Sequence, residues 1–171
     1  MHGFPKSILT LTLPLLLPAA LRAEDWPQWR GPNRDGARGE TGILQTFPAE
    51  GLNVRWRVPA GWGFASPVVA HGHVFLADSE MMKPKARERL RCFDESTGNT
   101  LWTHAYDVAY EAWALDPTQE IGPVATPIVR AGRVMPFGGR KVAWSPPAYA
   151  NHHIFARNGK ELICASLAVK P

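Results

Sequence analysis

Three stretches of the chain carry one short pattern. Residues 66–78 read SPVVAHGHVFLAD, residues 126–138 read TPIVRAGRVMPFG, and residues 146–158 read PPAYANHHIFARN. Each opens with a small residue or Pro and then a Pro. An apolar pair, a polar turn and a second apolar pair come next. That order predicts a strand, a tight turn and a second strand. The turns fall on His71-Gly72, Ala131-Gly132 and Asn151-His152. Recurrence is the main constraint on the fold, because a repeated unit must stack on its copies to bury its apolar face.

The segment C-terminal to the motif also recurs. Arg89-Leu90-Arg91-Cys92 matches Glu161-Leu162-Ile163-Cys164. Leu90 to Trp102, LRCFDESTGNTLW, reads as a hairpin whose turn is built from Asp94, Ser96 and Gly98. Asp and Ser bond their own backbone in turns, and Gly takes positive φ without strain. The unit is therefore four short strands. The hairpin is expected as its inner half. Thr41–Phe47 and Asn53–Pro59 alternate apolar and polar residues, which is the strand period. Tyr106, Tyr110 and Trp113 come nearest to a helical period. Asp116-Pro117 stops them, so Tyr106–Leu115 reads as an excursion between strands. With 16 Pro and 15 Gly in 171 residues, turns and short strands are favoured over helices.

The strand pair SPVVAHGHVFLAD, the strand Cys92-Phe93-Asp94 and the turn from Thr97-Gly98 to Trp102 together resemble the pyrroloquinoline-quinone-type (PQQ-like) β-propeller repeat family. DWPQWRGPNRDG from Asp25, GWGFASPVVA from Gly61 and IGPVATPIV from Ile121 are similar to an exported bacterial subgroup of it. The resemblance implies an all-β fold of four-stranded antiparallel blades, with Trp102 packed between blades. The units are unevenly spaced, however. Ser66 and Thr126 lie 60 positions apart, and Thr126 and Pro146 only 20. A closed ring typically has four to eight blades. The expectation is a partial propeller of two to three blades: one complete unit at 66–102 and partial units at 126–140 and 144–168, within 61–171. The chain then reads as an internally deleted or truncated member. Residues 24–60 form an N-terminal arm, with Trp26 and Trp29 inserted in a groove, and the first strands.

Residues 1–23 read as a signal peptide. Lys6 supplies a positive start, Ile8–Leu17 is an apolar run too short to span a bilayer, and Ala23 is a small residue before the cut. The expected location is periplasmic or extracellular, with no stable membrane span after cleavage. Without Lys6 and Arg22, 17 basic residues face 15 acidic ones. That balance argues against a nucleic-acid face. Cys92 and Cys164 read as buried core residues at equivalent places in the repeat.

No catalytic or metal residue is assigned. His71 with His73, and His152 with His153, fall at the same turn of the repeat and read as polar loop residues. No HExxH or CxxC spacing accompanies them. Ser66 lacks a nucleophile context. Asp94 and Glu95 read as turn residues, and Gly138-Gly139-Arg140-Lys141 as a junction between units. The expected function is a non-catalytic binding or scaffold module. Its loops would take a protein partner or a small ligand, and its exposed strand edges could self-associate. Sugar binding at Trp62 or Trp113 is a minor alternative. The family also contains quinoprotein dehydrogenases, which hold PQQ and calcium in a central channel with an Asp base and an adjacent Cys pair. The chain lacks such a Cys pair, and a remnant of such an enzyme is the alternative reading.

Overall fold

The computed structural model describes residues 24–82, 85–111, 116, 122–136, 147–158 and 160–169. Residues 1–23, Trp113, Trp144 and the Gly138–Lys141 run lie outside the described residues. The described residues are all-β. The strands are β1 (Val54–Pro59), β2 (Val68–Ala70), β3 (His73–Met82), β4 (Lys85–Asp94), β5 (Thr100–Val108), β6 (Ile128–Arg130), β7 (Arg133–Met135), β8 (Ala148–Ala150), β9 (His153–Arg157) and β10 (Glu161–Ser166). They form antiparallel sheets in the orders β2-β3-β4-β5, β8-β9-β10-β1 and β6-β7. The sheets do not close into a barrel, and the architecture is that of a partial propeller.

All three repeated motifs fold into the same two-residue hairpin. The pairs Ala70↔His73, Arg130↔Arg133 and Ala150↔His153 flank the turns. Both central residues have positive φ in each turn: His71 and Gly72 at 54° and 75°, Ala131 and Gly132 at 50° and 70°, Asn151 and His152 at 54° and 58°. Two left-handed residues give a type I′ turn, whose twist matches that of the strands it joins.

The two four-stranded sheets share a register. Phe75 pairs with Cys92, and Cys92 with Trp102. Phe155 pairs with Cys164, and Cys164 with Trp56. The ring pairs repeat as well. Phe75 and Trp102 lie 6.0 Å apart at 48°, and Phe155 and Trp56 lie 6.0 Å apart at 52°. β1, the first strand in the chain, thus completes the sheet built by the last three. One core lies between these sheets, where Trp56, Leu76, Phe93, Phe155 and Leu162 are buried. A second lies on the other face of the β2–β5 sheet, where Phe75, Leu90 and Cys92 meet Val129 and Val134.

Several expectations change. The strand β2 lies against β8 on one side and β6 on the other, so the first strands of the units face one another. The Leu90–Trp102 hairpin is therefore the outer half of its sheet. Trp102 is 42 % exposed, and the Trp packed between sheets is Trp56, at 9 %. Thr41–Phe47 forms no strand; only Ile43 makes an isolated bridge, to Ala168. Tyr106 and Asp107 belong to β5, because cross-strand pairing with β4 continues to Val108. The arm inserts one Trp rather than two. Trp26 is buried and bridges Val69 at the inner edge, whereas Trp29 is 45 % exposed. Pro27 accepts the Val129 amide at 2.8 Å, so the arm covers β6 as well.

Candidate functional site

The residues that face the β1–β10 sheet from β4 change character along the strand. Alternation sends Arg89, Arg91 and Phe93 to one face and Leu90 and Cys92 to the other. Phe93 joins the core with Trp56. Arg91 sits over the Phe93 ring, 4.7 Å from its centroid. Arg89 and Arg91 then converge on Asp78, which is fully buried. Asp78 stands opposite Arg89 in the β3–β4 register. Arg89 donates from Nε to Oδ1 at 2.6 Å and from Nη2 to Oδ2 at 2.8 Å. The Gly61 amide donates to Oδ2 at 2.8 Å, and Arg91 Nη1 lies 3.4 Å from it. The carboxylate is thus held by a two-pronged guanidinium and a backbone amide. That arrangement compensates the burial of its charge.

Gly61 can sit there because it has no Cβ; one would drive into the Ser79 carbonyl. Trp62 and Ser79 exchange backbone hydrogen bonds at 2.8 and 3.0 Å. Arg157 reaches across from β9 and donates to the carbonyls of Gly61 and Ala77. Burial lowers its pKa to about 10, with Asp78 opposing that shift. Above this floor opens a cleft of about 760 Å³ lined by Gly61, Trp62, Glu80, Arg89, Arg91 and Lys160. Arg89 is ion-paired with Glu80 at the rim. Among the described residues the Lys160 ammonium makes no ion pair, and it stands at the mouth with Arg91. The cleft therefore offers two cations beside an indole: Arg91, anchored on the Pro59 carbonyl and Asp78, and the exposed Lys160. Both carboxylates at hand are already engaged by Arg89.

The sequence-predicted positions lie elsewhere, at the turn end of the sheets. The His71 amide donates to the Asp25 carboxylate at 3.2 Å, and the His152 amide to Glu40 at 3.0 Å. Each of these two arm carboxylates thus holds the N–H of a left-handed turn residue. Burial alone would raise the Glu40 pKa, but the Arg38 guanidinium and the His152 amide outweigh it and hold the carboxyl below its ordinary value. His73 Nδ1 contacts the His71 carbonyl at 2.7 Å. His153 Nε2 lies 3.0 Å from Arg55, and burial followed by that guanidinium lowers its pKa. Among the described residues, no three or more His, Cys, Asp or Glu are grouped so as to hold a metal ion.

Asp94 Oδ1 accepts from the side chains and amides of Ser96 and Thr97 at 2.7 to 3.1 Å. The Ser96 and Thr97 hydroxyls pull its pKa down to about 2. The Glu95 carboxyl accepts from Asn151 of the neighbouring sheet. Burial raises its pKa against that hydrogen bond. Ser66 is buried, and its amide donates to Thr126 Oγ1 at 3.1 Å. Cys92 and Cys164 are free and buried in different sheets. Desolvation pushes their thiols up to about 11 and 12. Two inert thiols in separate sheets do not fit the adjacent Cys pair of a quinone site.

The Asp78–Arg89–Arg91 floor and Arg157 are absent from the sequence reading. The signal was the alternating Arg87-Glu88-Arg89-Leu90-Arg91 run opposite Asp78, which only a known register converts into a pair. No family model, curated protein or solved structure matches the chain.

Proposed function

We propose that this chain is an exported, non-catalytic propeller-repeat module of the PQQ-like type that holds an anionic ligand or partner in the cleft between its two four-stranded sheets. The observation that carries this reading is the repeated set His73, Phe75, Cys92, Trp102 and His153, Phe155, Cys164, Trp56, one in each sheet. It supports a stack of equivalent blades. The polar groups at the blade ends are committed to holding turns and linkers. The cleft adds Arg91 and Lys160 beside Trp62, which suits an anionic group attached to a flat apolar face.

Two measurements on the purified full chain test this. Acidic and neutral oligosaccharides and peptides are screened by calorimetry. Acidic ligands are expected to bind more weakly as salt rises and to lose affinity in Arg91→Gln and Lys160→Gln. Equal binding of neutral ligands rejects the cleft assignment. Titration with the quinone and calcium, followed by absorbance, is expected to give no saturable change. Saturable binding would replace the scaffold reading with the quinoprotein one.

A further inference from the structure

A buried ion pair grips the first residue of the arm. Arg38 and Glu40 are paired, and their side chains are only 9 % and 4 % exposed. Together they hold the backbone of Glu24 at two points. The Glu24 nitrogen donates to Glu40 Oε1 at 3.3 Å, and Arg38 Nη2 donates to the Glu24 carbonyl at 2.8 Å. Arg38 Nη2 also donates to Glu40 Oε1. The other Glu40 oxygen, Oε2, accepts the His152 amide at 3.0 Å. One carboxylate thus ties the start of the arm to the β8–β9 turn, 112 positions from Glu40. The exposed Glu24 carboxylate lies beside the pair, 3.7 Å from where a Cβ on Gly39 would stand. Two carboxylates, Glu24 and Glu40, therefore share one guanidinium. The donor from Glu24 is a neutral amide, which binds a carboxylate less strongly than a cation does.

Glu24 is also the residue that follows Ala23, the small residue at the expected cut of the signal peptide. Hydrolysis there breaks the Ala23–Glu24 amide bond with one water. It leaves a carboxylate on Ala23 and turns the Glu24 nitrogen into an α-ammonium. We infer, on the signal-peptide reading, that Glu40 and Arg38 form the receptor for that ammonium, so that cleavage locks the arm onto the β8–β9 hairpin. The acceptor oxygen already faces the nitrogen. Arg38 fixes the adjoining carbonyl, so the nitrogen is held in place. Conversion to an ammonium adds two N–H donors and the positive charge that balances the second carboxylate. Charge-assisted hydrogen bonds of this kind are roughly twice as strong as neutral ones, and capture of an N-terminal amine is a recurrent recognition mode. The precursor keeps the weaker amide contact, and the processed chain gains the stronger one.

The full-length gene is expressed in a host that exports it, and the product is identified by intact mass. A chain that begins at Glu24 is expected. A chain that begins elsewhere overturns the inference through the signal-peptide reading. The receptor is then tested on the product itself. Urea titrations compare it with a form carrying one added Ala ahead of Glu24, which moves the amine one residue away. With Glu40 in place, the added residue is expected to raise the unfolding constant about ten-fold, or about 1.4 kcal/mol. In Glu40→Gln it is expected to change that constant by about two-fold or less. Equal losses in the two backgrounds, or no loss in the first, overturn the receptor. A second measurement needs no variant. The α-amine of the native product is acylated at neutral pH, where only its unprotonated form reacts. Held by Glu40, it is expected to react about ten-fold or more slowly than in the urea-unfolded chain. Equal rates in the two states overturn the receptor as well.

Discussion

The Trp56 indole N–H donates to the Glu95 carbonyl at 2.9 Å, and its ring leaves no space for a side chain on Gly98. One contact therefore joins β1 to the turn of the neighbouring sheet, 39 positions away in sequence.

Replacing Gly98 with Val should disrupt that contact in two ways. A β-branched residue at φ +76° is strained, and its Cβ meets the Trp56 ring. The expected loss is about 3 kcal/mol, or roughly 10 °C in melting temperature. Trp56→Ala should cost about 3–5 kcal/mol as a core truncation. Trp102→Ala should cost about 1 kcal/mol or less, because its ring is half in water. Thermal melts of the three variants provide the comparison. Equal losses for the two Trp variants would contradict the assignment of Trp56 as the packing residue.

Asp78 is the second point of sensitivity. It is completely buried against Arg89. Asp78→Asn removes the buried counter-charge of the Arg89 guanidinium, leaving it only Glu80 at the rim, and should destabilise the fold by about 3–5 kcal/mol. The double variant Asp78→Asn with Arg89→Met should recover most of that loss in urea titrations. An additive double variant would mean that the two residues do not act as a pair.

The Asp94 carboxyl titrates at about 2, mainly because Ser96 and Thr97 donate to its charged form. Its folded pKa lies below the unfolded value of 3.8. The turn therefore gains stability from this group above 3.8, and the gain disappears as pH falls through about 2. Carboxyl carbon NMR should give that midpoint, and Thr97→Val should move it upward. A midpoint near 3.8 in the folded chain would show that the hydroxyls do not hold the carboxylate.

The two thiols should resist modification in the folded chain. Desolvation holds Cys92 at about 11 and Cys164 at about 12, far above working pH. An aromatic disulfide reagent at about pH 8, near the ordinary thiol pKa, should label neither until denaturant is added. Fast labelling of the native protein would place a thiol at the surface.

The hairpins were legible in the sequence. His71-Gly72, Ala131-Gly132 and Asn151-His152 became turns in all three copies because turn geometry depends on adjacent residues. Cys92 and Cys164 were placed as equivalents for the same reason, since the repeat carries them to the same strand. The charged floor was not legible. Asp78 and Arg89 become partners only once β3 and β4 settle into one register, and Arg157 arrives from a different sheet. The turn run itself misled in one respect: it looked like an inner hairpin because its chemistry says nothing about which edge of a sheet faces the neighbours.

The chain by itself determined an all-β fold, the units that repeat and the turns that join their strands. Those properties come from the alternation of side chains and from residues that tolerate left-handed backbone. Tertiary structure decided which strand completes which sheet, and with it the fates of two equivalent tryptophans. β1 pairs with β10 and carries Trp56 under the turn of the next sheet, where its apolar area leaves water and its N–H finds a carbonyl. Trp102 has the same cross-strand Cys and the same neighbouring Phe. It stays half exposed because no turn lies over it among the described residues, and burial depends on what stacks on a residue as much as on the residue itself.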